Sequence, residues 1–174
     1  RSCAVLIAIG VQEDGRRSIL GVSVSLSEAE THWRKLLASL KERGLHGLKM
    51  ITSDEHEGLK AAMRATFNGV PWQRCHAHLQ RNAGSYVPKV RMRAQVADDI
   101  RSIFNAPGRK EAHRLLELTV KRYKPSASRL ATWMQDNLPE GFTIFMLPSK
   151  HRKRLRTTNM LERLNKEIKR RTRV

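Results

Sequence analysis

Two carboxylates, Asp54 and Glu162, stand out by type and setting. Between Lys150 and Val174 the chain carries eleven Lys or Arg and only two Glu. Glu162 lies in the stretch from Arg156 to Arg171, which reads as a helix basic at almost every exposed position. A carboxylate on a polyanion-binding helix weakens binding unless it has its own task. Holding a metal ion against a phosphate is such a task. Asp54 follows Leu48-Lys49-Met50-Ile51-Thr52, which predicts a strand, and precedes a helical pattern through Leu59, Ala61, Ala62 and Met63. Ligands of α/β folds bind at the carboxyl ends of strands, so this position suits a metal ligand. Each acid also has a plainer use. Asp54 with Glu57, and Asn159 with Glu162, both match a capping box. Leu161, Leu164 and Ile168 mark a buried stripe, and Glu162 lies about 100° round from Leu161, at its edge.

Cys75 and His78 form a Cys-x-x-His pair. Two ligands do not make a zinc site, and no second pair stands at finger spacing. Cys75 reads as a small buried side chain at a strand end, with His78 as its hydrogen-bonded neighbour, and Cys3 reads as core. The cations best placed to contact phosphate are Arg152, Lys153, Arg154, Arg156, Arg163, Lys166, Lys169 and Arg170. A solvated basic face is the alternative, but like charge at this density is costly without a partner. Aromatics make up only 5% of the chain. A base-stacking platform is therefore not supported, and phosphate contacts are the expected mode.

The elements that position these residues read as mixed α/β. Cys3 to Val11 is a nearly continuous apolar run that suits a buried strand. Asp14-Gly15 supplies a turn, and Ser18 to Val24 returns as a second strand, giving an antiparallel hairpin. Ser27 with Glu30 predicts a capped helix over 28–43, with Trp33, Leu36, Leu37 and Leu40 on one face and Gly44 ending it. Trp72 to Cys75 reads as a short strand, followed by a helix from His76. From Lys89 to Leu138 the pattern is helical, with breaks at Pro107-Gly108 and Lys124-Pro125. Thr143 to Leu147 is a short apolar piece before the basic segment.

With 174 residues the chain is long enough for one domain with a real core. Its net charge of +18 points to an anionic partner, most simply nucleic acid. No apolar run is long enough to span a membrane, and the first residues lack a signal-peptide cleavage pattern. Two Cys are too few for a disulfide framework and fit a reducing cytoplasm. A start at Arg1 rather than Met suggests a fragment of something longer.

Three blocks then carry a resemblance. Ile51-Thr52-Ser53-Asp54-Glu55-His56-Glu57-Gly58-Leu59-Lys60 resembles the second acidic motif of mutator-type insertion-sequence transposases. Val70 to Asn82, with its Cys-x-x-His pair, resembles their next block. Arg156 to Val174 resembles their final acidic block, and the opening hairpin and Ser27-to-Trp33 segment match as well. The blocks stand in the family's order and cover essentially the whole chain.

The resemblance implies an RNase H-like mixed sheet flanked by helices, with an all-helical insertion before the last catalytic helix. It implies residues 1–88 as an incomplete core, 89–140 as the insertion, and 141–174 as the basic segment and final helix. It makes Asp54 and Glu162 the second and third members of an acid triad. That triad would hold two Mg²⁺ (or Mn²⁺) ions about 3.5–4 Å apart. The family's first Asp lies on a strand before the hairpin, so this chain is expected to begin after it. Asp14, in a hairpin turn, does not substitute. The implied reaction is metal-dependent cleavage and strand transfer on double-stranded DNA, at element ends and target. A homo-oligomer on DNA in the bacterial cytoplasm, associated with the nucleoid, would carry it out. The alternatives are an inactive remnant that only binds DNA, or another RNase H-like nuclease or integrase.

Overall fold

A computed structural model describes residues 3–172. Arg1, which opens the chain, and Arg173-Val174, which close the last resembling block, lie outside the described residues. The order of elements is β1 (Ala4–Val11), β2 (Arg17–Ser25), α1 (Glu30–Glu42), β3 (Ile51–Ser53), α2 (Glu57–Thr66), β4 (Trp72–Arg74), α3 (His76–Gly84), α4 (Arg93–Phe104), α5 (Arg109–Tyr123), α6 (Ser128–Asn137), α7 (Ser149–Leu155) and α8 (Asn159–Thr172). The chain is thus mixed α/β. Its described strands form two separate two-stranded sheets, β1-β2 and β3-β4, rather than the single mixed sheet expected. Thr143–Met146 is a 3₁₀ turn. The chain divides into two compact units, residues 1–72 with 158–174, and residues 73–157.

In the first unit, β1 and β2 pair antiparallel, as the Asp-Gly turn predicts. Gly15 takes φ +83°, and the Asp14 carboxylate accepts from the Arg16 backbone N–H at 2.8 Å. Register shifts after Ala8, where Leu20 is bulged out of β2. Leu6 is buried, and a Cβ on Gly21 would stand 3.1 Å from both Leu36 and Leu40 of α1. Gly21 therefore sets how closely α1 approaches the hairpin. The opposite face pairs Val5 with Val24 and Ile7 with Val22, and leaves Val22 and Val24 exposed. Leu36, Leu37 and Leu40 are buried along α1, with Trp33 partly so, as the periodicity predicts. The helix ends in a full Schellman motif: Gly44, at φ +93°, donates to Lys41 O and Leu45 donates to Leu40 O. Its start differs from expectation. Ala29 is the N-cap and makes no side-chain cap bond, while Ser27 Oγ accepts from Ala29 N–H in the preceding turn. Cys3 is exposed, not core.

The second unit is helical apart from the end of β4, and buries Leu79, Ile100, Ile103, Leu130, Met134 and Phe142. α4, α5 and α6 are separated at the Pro107-Gly108 and Lys124-Pro125 breaks that the sequence marks. Tyr123 donates to Asp99 at 2.6 Å, and burial together with that carboxylate pushes its phenol up to about 12. His76 is buried at the start of α3, stacked 3.7 Å from Phe104, with one ring nitrogen 2.7 Å from Gly141 O. Burial disfavours the imidazolium and lowers its pKa from 6.5 to about 4, with the Arg156 charge acting in the same direction. Between those two values the unfolded chain binds the proton and the folded one does not. The contribution of His76 is therefore complete above about pH 6.5 and is lost as pH falls toward 4. It amounts to about 3 kcal/mol. Urea unfolding midpoints taken from pH 7 down to 4.5 should decline more steeply for the native chain than for a His76→Gln variant.

Candidate nucleic-acid and metal site

Asp54 directly follows β3. Ile51 N–H donates to Pro71 O at 3.0 Å, which ties the strand to the segment entering β4. Trp72 Nε1–H donates to Ser53 Oγ at 2.8 Å, and the same hydroxyl donates to the Asp54 carbonyl at 2.7 Å. This relay fixes the Asp54 backbone while its carboxylate stays on the surface. The capping use of Asp54 is not realised. His56 is the N-cap of α2, and its Nδ1 accepts from Leu59 N–H at 3.3 Å. Its Nε2 stands 3.6 Å from a Glu28 carboxylate oxygen. The Asp54 carboxylate has no hydrogen bond or ion pair among the described residues.

Glu162 belongs to the same compact unit as Asp54. Its N–H donates to Thr158 O at 3.1 Å, so Thr158 occupies the cap and Asn159 is the first helical residue. Glu162 is then the fourth helical residue, one past the capping-box position. It is half-buried, as are Leu161, Leu164 and Ile168, so the stripe expected to be buried is only half-buried on α8. Lys166 and Lys169, at i+4 and i+7, share its face.

The basic residues fall into two groups. Arg152 donates to three backbone carbonyls: Leu147 at 2.8 Å, Pro107 at 2.9 Å and Phe145 at 3.4 Å. Arg156 donates to Asn105 Oδ1 at 2.6 Å, and its own carbonyl accepts from His76 N–H at 2.9 Å. Arg170 and Arg171 both pair with Glu167, whose carboxyl these bonds lower. Arg154 is exposed on α7. Lys153, Arg163, Lys166 and Lys169 are exposed, with no hydrogen bond or ion pair among the described residues.

Residues 1–174 match the family described as "Transposase, Mutator family". The chain belongs to the mutator family of transposases. It is 51% identical over 172 residues to the transposase for insertion sequence element IS406 of Burkholderia multivorans, covering 99% of this chain and 44% of that protein. It is 39% identical to the ISRM5 transposase of Rhizobium meliloti, covering 98% and 43%. It is 34% identical to the IS256 transposase in transposon Tn4001 of Staphylococcus aureus, covering 97% and 43%. This mutator-family chain thus spans less than half the length of these relatives.

Cys75 of the mutator chain is a fully buried thiol outside any disulfide, at the N-cap position of α3, and His78 is partly buried on that helix. Among the described residues no three His, Cys, Asp or Glu are grouped to hold a metal. No described helix is long and apolar enough to cross a membrane. Sequence reasoning missed Arg74, which is 1% exposed and donates to Glu140 at 2.9 Å and Asn137 at 3.0 Å. No local pattern signals a pair so far apart in sequence.

Proposed function

We propose that this chain is part of the catalytic core of an insertion-sequence transposase, and that Asp54 and Glu162 are two of its metal-binding carboxylates. The observation that carries this reading is the failure of the capping alternative at Asp54: His56 caps α2, and Asp54 stays exposed at the end of β3. Family membership and the +18 charge add DNA as the partner. By kind, carboxylates fit Mg²⁺ or Mn²⁺. By number, two do not complete such a site, and no cluster of three is found among the described residues. The remaining oxygen ligand then falls to the parent protein outside residues 1–174, in a core of the RNase H-like type that acts as an oligomer on double-stranded DNA. A bound divalent ion there supplies Lewis acidity and an activated oxygen nucleophile at neutral pH. The chain's own residues do the rest. Asp54 and Glu162 present anionic oxygens, and Arg163, Lys166 and Lys169 hold the phosphates beside Glu162 against its negative charge.

The lack of a third grouped ligand favours a second reading for the chain in isolation, that of a DNA-binding remnant without cleavage. Nicking of duplex DNA with Mg²⁺ or Mn²⁺, run on this chain and on the full-length transposase, separates the two. Cleavage by the full-length protein alone supports the shared site. Cleavage by neither supports the remnant.

The two groups of cations should respond differently to truncation. Arg152→Ala should lower the stability of the second unit by about 1 kcal/mol, because the Leu147 and Pro107 carbonyls lose their donor. It should leave the salt dependence of DNA binding unchanged. Lys166→Ala should leave stability within about 0.5 kcal/mol and reduce the slope of log K against log salt by about 1. Titrations of duplex DNA at several salt concentrations, beside urea unfolding, read both effects.

A further inference from the structure

α6 carries Arg129, Thr132, Trp133 and Asp136 at i, i+3, i+4 and i+7, on one face of the helix. Tyr86, just beyond the end of α3, stacks on Trp133 with ring centroids 5.4 Å apart and planes inclined by 24°. These side chains and Asn137 line an open concavity of about 360 Å³ within the second unit. Trp133 packs against the unit's core, whereas Tyr86 is 38% exposed, so the tyrosine ring is the outer layer of the stack. Arg129 and Asp136 are both exposed, and neither has an ion-pair or hydrogen-bond partner among the described residues. Seven helical residues separate them by about 10 Å, too far to neutralise each other, with the aromatic pair between.

We propose that this concavity takes an unstacked DNA base, which lies on the outer face of Tyr86 as the third layer of the stack. Every base has a π-face, and an exposed aromatic ring backed by a second one is a ready surface for it. Arg129 lies at one end to take the adjoining phosphate as a charge-assisted hydrogen bond. Asp136 lies at the other and accepts from an exocyclic amine, as carboxylates do with cytosine. The juxtaposition of cation, stacked rings and acid along one face is what a single nucleotide presents in reverse: phosphate, base plane and amine edge. The low aromatic content of the chain hides this site, because two of its few aromatics meet only in the fold. The inference rests on the reading of DNA as partner and adds a base-recognising site apart from the carboxylates.

Two probes test it: a duplex with one unpaired adenine, and the same duplex with an abasic analogue at that position. The 174-residue chain should bind the first about tenfold more tightly. Tyr86→Ala should abolish the preference while leaving affinity for the abasic duplex unchanged, and Tyr86→Phe should retain it. A preference that survives in Tyr86→Ala overturns the proposal. So does equal affinity of the native chain for both probes, which would assign the concavity to a protein contact and leave DNA as partner intact. Binding to neither probe would overturn this proposal and the DNA reading together.

Discussion

Asp54→Asn and Glu162→Gln, made separately in a full-length transposase carrying this chain, should each abolish DNA cleavage, by at least about 10²–10³-fold, with DNA affinity unchanged or raised. Both substitutions keep the shape of the side chain and remove one negative charge. Asp54 does not cap α2, because His56 Nδ1 accepts the Leu59 N–H, so Asp54→Asn removes no cap bond. The stability of Asp54→Asn should therefore stay within about 0.5 kcal/mol, the range of ordinary surface substitutions. Affinity should rise where Glu162 is neutralised, because Lys166 and Lys169 share its face and then meet phosphate without an opposing charge. Gel-shift titrations and single-turnover nicking on the same preparations separate binding from chemistry. A loss of binding in step with cleavage would mean that these acids support the fold or the DNA contact rather than the reaction.

Glu140→Ala should destabilise the second unit by about 3–5 kcal/mol, the largest effect expected of a residue outside the candidate site. Arg74 is 1% exposed, and its charge is answered by Glu140 at 2.9 Å and by Asn137. Removing the acid takes a counter-charge at 2.9 Å away from a guanidinium deprived of solvent. The reverse truncation is milder in kind. In Arg74→Met the apolar side chain keeps most of the packing, and Glu140, which is partly exposed, can rehydrate. Replacing both partners, Arg74→Met with Glu140→Ala, should recover much of the loss. Denaturant unfolding of the four proteins forms a double-mutant cycle that measures the coupling.

The sequence was most legible where local chemistry decides the structure. The hairpin follows from Asp14-Gly15 between two β-branched runs, and α1 from leucines at helical spacing that stop at Gly44. β3 follows from a short apolar run before Asp54. Helix starts were the least legible. Three matches to the capping box, at Ser27, Asp54 and Asn159, all misplace the first turn. Close backbone approach accounts for one of them. A Cβ on Gly58 would lie 2.9 Å from Glu30 N and 3.1 Å from Glu28 O, so the first turn of α2 is set against the start of α1. His56, next to Glu28, then takes the cap. Among the cations, composition alone made Arg152 and Lys166 equivalent. Only the fold shows that Arg152 holds carbonyls of its own unit while Lys166 faces solvent. The same holds for Tyr86 and Trp133, which meet only through packing of α6 near the end of α3.

On the function proposed above, Asp54 and Glu162 hold one divalent-ion centre in common. Fe²⁺ replaces Mg²⁺ at oxygen sites, and with ascorbate and peroxide it cuts nearby polypeptide through locally generated radicals. Loaded into the full-length transposase, it should cut the chain beside both Asp54 and Glu162, and excess Mg²⁺ should suppress both cuts together. Cutting at only one of the two positions, or at neither, would contradict a shared centre.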